Sequence, residues 1–495
     1  MLTENDSVRL IFSLKIKSLR QEQGLLYQQL ADRTGMSVSY IHDIEAGKKF
    51  PKADKILALS KVLGVDYDYL VSLRASKKLQ PIIDLINSDF INAIPWEHFG
   101  LTPASLLDLF SNTPDKVTAF ISTLLRISRS YQLSKESFYN AALRSYQDLH
   151  NNYFEEIETS VELFREQHHL KKKHPVDMSV FEKLLNKAGV VVDRTTMGDM
   201  EDLRSVRSFY SVTKQTLYIN SGMSAAQEKF LIGREIAFQH LSIKERPFET
   251  IIQHSESFEK IFNNFKASYF AVAMLMPEKQ FVEDVKRIVR KPEWNPKLWL
   301  DLVNNYDVTP EMMMQRLTNL LPTHFGIDHL FFLRMSGVPE LNEFEMTKEL
   351  QLSQLHNPYA NALHEHYCRR WISINSIHHV AELKSRGEYQ QPLVEAQISQ
   401  YWLTDNRYFC ISIAKPGPIG EGVSVTIGLL IDQKLVQTMP FVNDPAILVR
   451  TVHTTCERCG ILDCKERAAA PVELDKVQQQ EKVDKALQQL NEPGR

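Results

Sequence analysis

One stretch of 46 residues limits the possible folds more than any other, "LLYQQLADRTGMSVSYIHDIEAGKKFPKADKILALSKVLGVDYDYL" (25–70). Its apolar positions Leu30, Ala31, Ile41, Ile44, Leu57, Leu59, Leu63 and Leu70 fall in short runs at helical spacing. Such runs can bury their apolar faces only against one another, so the spacing predicts a compact helical block. Gly35 stands between two of the runs, where a turn with positive φ favours glycine. Ser37 precedes the next run in N-cap position.

On these residues the block strongly resembles the lambda-repressor/XRE helix-turn-helix family. The resemblance implies binding of double-stranded operator DNA, with the early outward residues of the second motif helix in the major groove. Here those are Val38, Ser39, His42 and Asp43. Gln28, at the start of the first motif helix, is placed to clamp a phosphate, and Lys48 and Lys49 on the following loop to contact further phosphates. Residues 1–78 hold thirteen Lys or Arg against nine Asp or Glu, which predicts a modest electrostatic grip and binding as a dimer to paired half-sites. Asp43 fits less easily, because a carboxylate facing DNA accepts only from cytosine or repels phosphate.

The chain has 495 residues, too many for one ordinary core, and a formal net charge of −3. That balance argues against a polyanion-binding surface over the whole molecule. Its nearest approach to a membrane span, "VSVTIGLLI" (423–431), reads as a buried strand, so no membrane partner is expected. "MLTENDSVRL" lacks a basic-then-apolar signal segment, and a cytoplasmic location is the expectation.

A linker punctuated by Pro81, Pro95 and Pro103 is predicted over 74–103, followed by an amphipathic stretch from Ser134 to His169 and a basic break "KKKHP". "GVVVDR" and "TLYINS" read as strands, 224–241 and 258–276 as buried helices, and "RYFCISIAK" and "VSVTIGLLID" as strands of a C-terminal sheet. The fold class expected is multidomain, mainly α with α+β. A helix-turn-helix bundle (8–73) is followed by a helical linker (74–170), a degenerate zincin-like α+β sensor domain (171–335), a mixed α/β domain with a sheet (336–471) and a polar tail (472–495).

"TLYINSGMSAAQEKFLIGREIAFQHL" and "FKASYFAVAMLMP" together resemble the ImmA/IrrE metallopeptidase family. That family pairs a His-Glu-x-x-His helix with a later helix ending in Leu-Met-Pro. The His positions here hold Arg234 and Phe238, and the position of the third ligand, a glutamate, holds Lys266. Two cations and a benzene ring cannot hold Zn²⁺, and His240 lies on a different helical face. Glu235 alone remains, so the expectation is a chain that is not an enzyme. Apolar lining with scattered cations suits an acyl chain joined to a phosphate-bearing head group, and Arg194 and Arg334 are the candidate cations.

Three of the five cysteines crowd into "TTCERCGILDCKERAAAP" as Cys456-x-x-Cys459-x4-Cys464. Two thiolates two residues apart wrap one metal through a tight turn, and a third closes a face of the site. Cys368 beside Trp371 is the internal candidate for a fourth ligand; Cys410 reads as packed core. Spacing leaves a Zn²⁺ site and an iron–sulfur cluster both open. With the helix-turn-helix and the degenerate middle, this motif and its following "ERA" and proline look like the short-chain acyl-CoA responsive regulator family. That resemblance implies a transcription factor with an acyl-CoA effector and a [4Fe–4S] cluster. It carries Cys456, Cys459, Cys464 and Cys368 over as cluster ligands and places Tyr269, in "SYFAVAMLMP", at the acyl pocket. "HYCRRW" stands where the family has Cys-Pro-Leu-Trp.

Overall fold

A computed structural model of the chain describes residues 4–72, 100, 135–170, 175–249, 257–352, 365–417 and 420–491. The linker expected over 74–103 lies outside the described residues except for Gly100, as do most of "KKKHP" and the tip of the "KPGPIGEG" turn. The chain divides into two units. One comprises Met1–Tyr146, Glu245–Pro247 and Ile252–Asn263; the other comprises Gln147–Lys244, Phe248–Ile251 and Asn264–Arg495.

The first unit opens with five helices, α1 (Glu4–Glu22), α2 (Tyr27–Thr34), α3 (Val38–Glu45), α4 (Ala53–Leu63) and α5 (Tyr67–Val71). Their apolar faces meet in one core that contains Leu30, Ala31, Ile41, Ile44, Leu59, Leu63 and Leu70, as the spacing predicts. Leu57 is the exception: it is 46% exposed, and its neighbour Ile56 fills the core position instead. A shift of one residue turns a side chain by about 100° around a helix axis, which moves it from the buried face to the rim. Gly35 ends α2 at φ 66° and Ser37 caps α3, its Oγ accepting from the Tyr40 N–H at 3.2 Å.

A charge sits inside this bundle. The Lys15 side chain is fully buried, and its ammonium donates to the carbonyls of Tyr69 and Ser72, each at 2.5 Å, at the end of α5. Burial lowers its pKa from the usual 10.5 to about 8. In the pH window from about 8 to 10.5 the unfolded chain therefore binds more protons at this position, and stability rises with pH there. Denaturant midpoints of the wild type and of Lys15→Met across that window test this. The wild type should gain on the order of 1 kcal/mol across that window that the variant does not.

The amphipathic stretch from Ser134 to His169 forms two helices, α6 (Lys135–Leu149) and α7 (Glu155–Gln167). Asn151 and Asn152 both take positive φ (49° and 53°), a conformation asparagine tolerates better than most residues, and there the helix stops.

In the second unit α8 (Met178–Lys187) leads to β1 (Val191–Asp193), β2 (Ser208–Ser211) and β3 (Thr216–Ile219), a sheet in the order β1-β3-β2. The helix α9 (Ala225–His240) follows, started by a capping box between Ser224 and Gln227. After it come α10 (Phe258–Leu275), whose residues up to Asn263 belong to the first unit, α11 (Glu278–Val289), α12 (Pro296–Tyr306) and α13 (Pro310–Phe325). The C-terminal sheet has the order β5-β4-β8-β7-β6-β9. Its strands are β4 (Leu330–Val338), β5 (Glu343–Gln351), β6 (Leu393–Tyr401), β7 (Arg407–Pro416), β8 (Gly422–Leu430) and β9 (Leu448–Val452). Only β6–β9 is a parallel pair in that sheet. Helix α14 (Ile372–Ser385) packs on β7 and β8 and helps bury those two strands on both faces, and Ser373 of the helix donates to Thr426 Oγ1 of β8 at 2.9 Å. The boundary expected at 335/336 falls inside β4, because that strand pairs with β8 and so belongs to the later sheet. After the short α15 (Gln433–Thr438), the polar tail is a helix, α16 (Val472–Asn491).

Candidate functional site

Helix α3 presents Val38, Ser39 and His42 to solvent, while Ile41 and Ile44 face the core. Its far end is fixed by the Lys48 and Lys49 N–H groups, which both donate to the Asp43 carbonyl at 2.9 and 3.1 Å. Lys49 Nζ stands 2.9 Å from Asp43 Oδ2, and that hydrogen bond holds the carboxyl below its usual range. The carboxylate of Asp43 is thus paired with Lys49, the residue expected to contact a phosphate. Lys48 and Gln28 are exposed, and Gln28 Nε2 donates to Asp32 Oδ1 at 2.9 Å.

What orients α3 against α1 is an ion pair that the sequence did not reveal. Arg20 Nε and Nη2 reach the two Glu45 oxygens at 2.6 and 2.9 Å, with Glu45 buried and the guanidinium stacked 4.1 Å from the Tyr27 ring centre. Arg20 Nη1 donates further to the Leu25 carbonyl at 2.9 Å. The pair bolts the C-terminal end of α3 to α1, so the helix cannot roll without breaking it.

In α9, Arg234 and Glu235 are both buried. Arg234 donates toward Asn264 Oδ1 (3.2 Å) and Ser208 Oγ (3.4 Å), and its guanidinium lies 6.0 Å from the Phe238 ring centre. Glu235 accepts from Gln239 Nε2 at 2.8 Å. Lys266 is half-buried on α10. His240 turns away to the rings of Phe164 and Phe270.

The residues predicted for an acyl pocket fall into three separate polar sets. Arg194 pairs with Glu182 and Glu228 at 2.6 and 2.7 Å. Arg334 Nη1 donates to Thr347 Oγ1 at 2.5 Å, and its Nε stands 3.4 Å from Glu311. Tyr269 is buried and donates to Glu158 Oε1 at 2.6 Å. Glu158 is also gripped by the fully buried Arg316, whose Nη2 reaches Glu158 Oε2 at 2.9 Å and whose Nε donates to the Met276 carbonyl at 3.0 Å. Burial alone would lower the Arg316 pKa, but the Glu158 carboxylate raises it.

The segment that carries Cys368 meets the start of the cysteine motif across nearly ninety residues of sequence. Tyr367 and Thr455 form an antiparallel bridge, flanked by Cys368 N–H to Thr454 O (3.1 Å) and Cys456 N–H to His366 O (2.9 Å). Glu457, buried between the motif cysteines, accepts from the His366 N–H at 2.9 Å and stands 2.7 Å from His366 Nδ1. Trp371 Nε1 donates to the His453 carbonyl at 2.8 Å. This clamp brings Cys368 into electrostatic reach of Cys456 and Cys459, all three buried, with Cys464 half-buried. Burial pushes the Cys368 thiol up to about 11, the Cys456 and Cys459 sulfurs add to the rise, and the His453 N–H, 3.5 Å from Cys368 Sγ, opposes it. Cys410 is packed core, pushed up to about 12 by burial, with its Sγ 3.6 Å from Ser399 Oγ.

In its chemistry this donor set fits a thiophilic metal or cluster: several thiols on one irregular loop, backbone N–H groups aimed at sulfur, and a buried Arg467 Nε with no hydrogen-bond partner among the described residues. Among the described residues no three His, Cys, Asp or Glu side chains stand as a finished ligand set. Beside the loop an open cavity of about 500 Å³ is lined by Arg370, Trp402, Thr451 and residues 460–463. Gly460 is required there, since a Cβ would stand 2.1 Å from the Trp402 ring.

The parts this chain shares with known families are a helix-turn-helix and an IrrE-like domain. Residues 16–70 match the helix-turn-helix family, and residues 185–318 match the IrrE N-terminal-like domain. An uncharacterized HTH-type transcriptional regulator of Bacillus subtilis, YobD, is 29% identical over 112 residues, 22% of this chain and 97% of that protein. A Mycobacterium tuberculosis transcriptional regulator aligns over 67% of this chain and 93% of its own, with a TM-score of 0.46 and 16% identity. Through its helix-turn-helix stretch the chain is homologous to HTH-type transcriptional regulators, and that domain implies DNA as a partner. No helix among the described residues is long and apolar enough to cross a membrane.

Proposed function

We propose that this protein is a cytoplasmic, homodimeric transcriptional regulator that reads operator DNA through α3 and responds to a short-chain acyl-CoA. Its C-terminal cysteines hold a [4Fe–4S] cluster, with structural Zn²⁺ as the alternative. The observation that carries the DNA reading is the exposed, capped face of Val38, Ser39 and His42, locked to α1 by Arg20 and Glu45. The cluster reading is supported by the clamp between residues 366–368 and 453–457, which recruits Cys368 to the motif. The effector reading rests on the resemblance carried by the whole chain. The IrrE-like domain serves as a scaffold and not as a peptidase, a reading supported by Arg234, Phe238 and Lys266 in the ligand positions.

Duplexes selected from a randomised pool test the first part. Ser39→Ala and His42→Ala should each lose about 1–3 kcal/mol of discrimination at one base position, whereas Lys48→Ala should weaken all duplexes alike and reduce the salt slope by about 1. Failure to enrich any duplex overturns it. Acetyl-CoA and propionyl-CoA should shift affinity for the selected duplex by about 5–150-fold; superimposable curves remove the effector. An anaerobic spectrum separates the metals, because an iron–sulfur cluster absorbs near ~400 nm and d¹⁰ Zn²⁺ is colourless. Chelator-sensitive peptide hydrolysis lost in Glu235→Gln would restore the enzyme.

A further inference from the structure

Arg467 follows the last motif cysteine by three residues and is bound in a way its neighbours are not. Arg370 and Arg450 both pair with Glu466, and Arg458 pairs with Glu365. Arg467 instead gives all its Nη hydrogens to backbone. Nη1 donates to the carbonyls of Cys456 (2.7 Å) and Ala469 (3.2 Å), and Nη2 to those of Cys459 (2.8 Å) and Ile461 (2.9 Å). Its Nε is buried and has no hydrogen-bond partner among the described residues.

Residues 456–469 form no helix or strand, so their carbonyls lack the partners that regular structure supplies. One guanidinium collects four of them, from residues on both sides of Cys459 and Cys464. A planar fork with fixed donor directions suits this task, and an ammonium does not. Arg467 is half-buried and makes no ion pair with a carboxylate among the described residues, so its partial desolvation is offset by carbonyls alone. Its charge has a use where three thiols must share negative charge as ligands.

We propose that Arg467 is the positioning residue of the cysteine site. Its fork sets the turn that presents Cys456, Cys459 and Cys464 together, and its unneutralised charge offsets the repulsion among their thiolates. The adjacent Ala468 N–H, 3.4 Å from Cys456 Sγ, is held in place by the same arrangement. This rests on the cysteine-site reading above and assigns a residue that the cysteine spacing does not include.

Cobalt(II) titration of the reduced, metal-free full-length protein, followed by its thiolate charge-transfer absorbance, is the test. Hydrogen exchange of the same samples reports on the loop. Arg467→Gln should weaken cobalt uptake by about 10- to 100-fold, the range seen when groups that orient metal ligands are removed. Exchange should quicken across 456–469 and stay unchanged in β7 and β8. Arg467→Lys, which keeps the charge and loses the fork, should fall between, and it carries the test if the Gln variant does not fold. Wild-type cobalt affinity and exchange in both variants would overturn the assignment while leaving the cysteine site standing. Unchanged cobalt uptake after replacing Cys456, Cys459 and Cys464 with serine would remove the site itself, and the assignment with it.

Discussion

Glu158→Ala will destabilise the larger unit by about 3–5 kcal/mol, the usual loss when one partner of a buried ion pair is removed. Arg316 is fully buried, and Glu158 supplies its facing carboxylate. Without it a guanidinium stays in the interior, and the Tyr269 hydroxyl loses its acceptor as well. Those contacts tie α7 to α10 and α13, so the loss should be felt cooperatively in urea melts. The double change Glu158→Leu with Arg316→Met should recover most of the stability, because an apolar pair of similar volume needs no charge compensation. A double variant as unstable as Glu158→Ala would show that the network acts through shape instead.

Arg20→Ala should abolish DNA binding without touching the larger unit. Below about 70–80 residues a core rarely supplies more than about 3–5 kcal/mol. Leaving the buried Glu45 carboxylate unpaired costs about the same. The bundle should therefore melt near room temperature, and no duplex should be retained even at low salt. Arg20→Lys is the informative companion. It keeps a charge near Glu45 but cannot span both oxygens and stack on Tyr27, so a partial loss is expected. Full binding by Arg20→Ala would mean that α3 is held by packing alone.

The bundle was largely legible because its signals are local. Gly35 and Ser37 act on their own turn, and Leu30, Ile41 and Leu63 announce a buried face by spacing. Leu57 misled because leucine fits either face at the edge of a stripe. Lys15, Arg20, Glu45, Glu158 and Arg316 were hidden for a different reason. A charged residue in a sequence reads as surface, and only its partner, 25 residues away for Arg20 and 158 for Arg316, explains its burial. The same distance problem made Cys368 a guess. The bridge between Tyr367 and Thr455 that carries it to the motif leaves no trace in either segment alone. The break after α6 falls at consecutive asparagines, which tolerate left-handed backbone better than most residues.

The carbonyl of Glu457 accepts from the N–H groups of Glu473 and Leu474 at 3.0 and 3.1 Å, so the first turn of α16 hangs from the middle of the cysteine motif. The helix is 20 residues long and exposed along most of its length. It works like the needle of a gauge: a tilt of 10° at its root would sweep the tip through about 5 Å, given a length of about 30 Å. A spin label near Leu487 would turn small rearrangements of the thiol loop into a readable displacement.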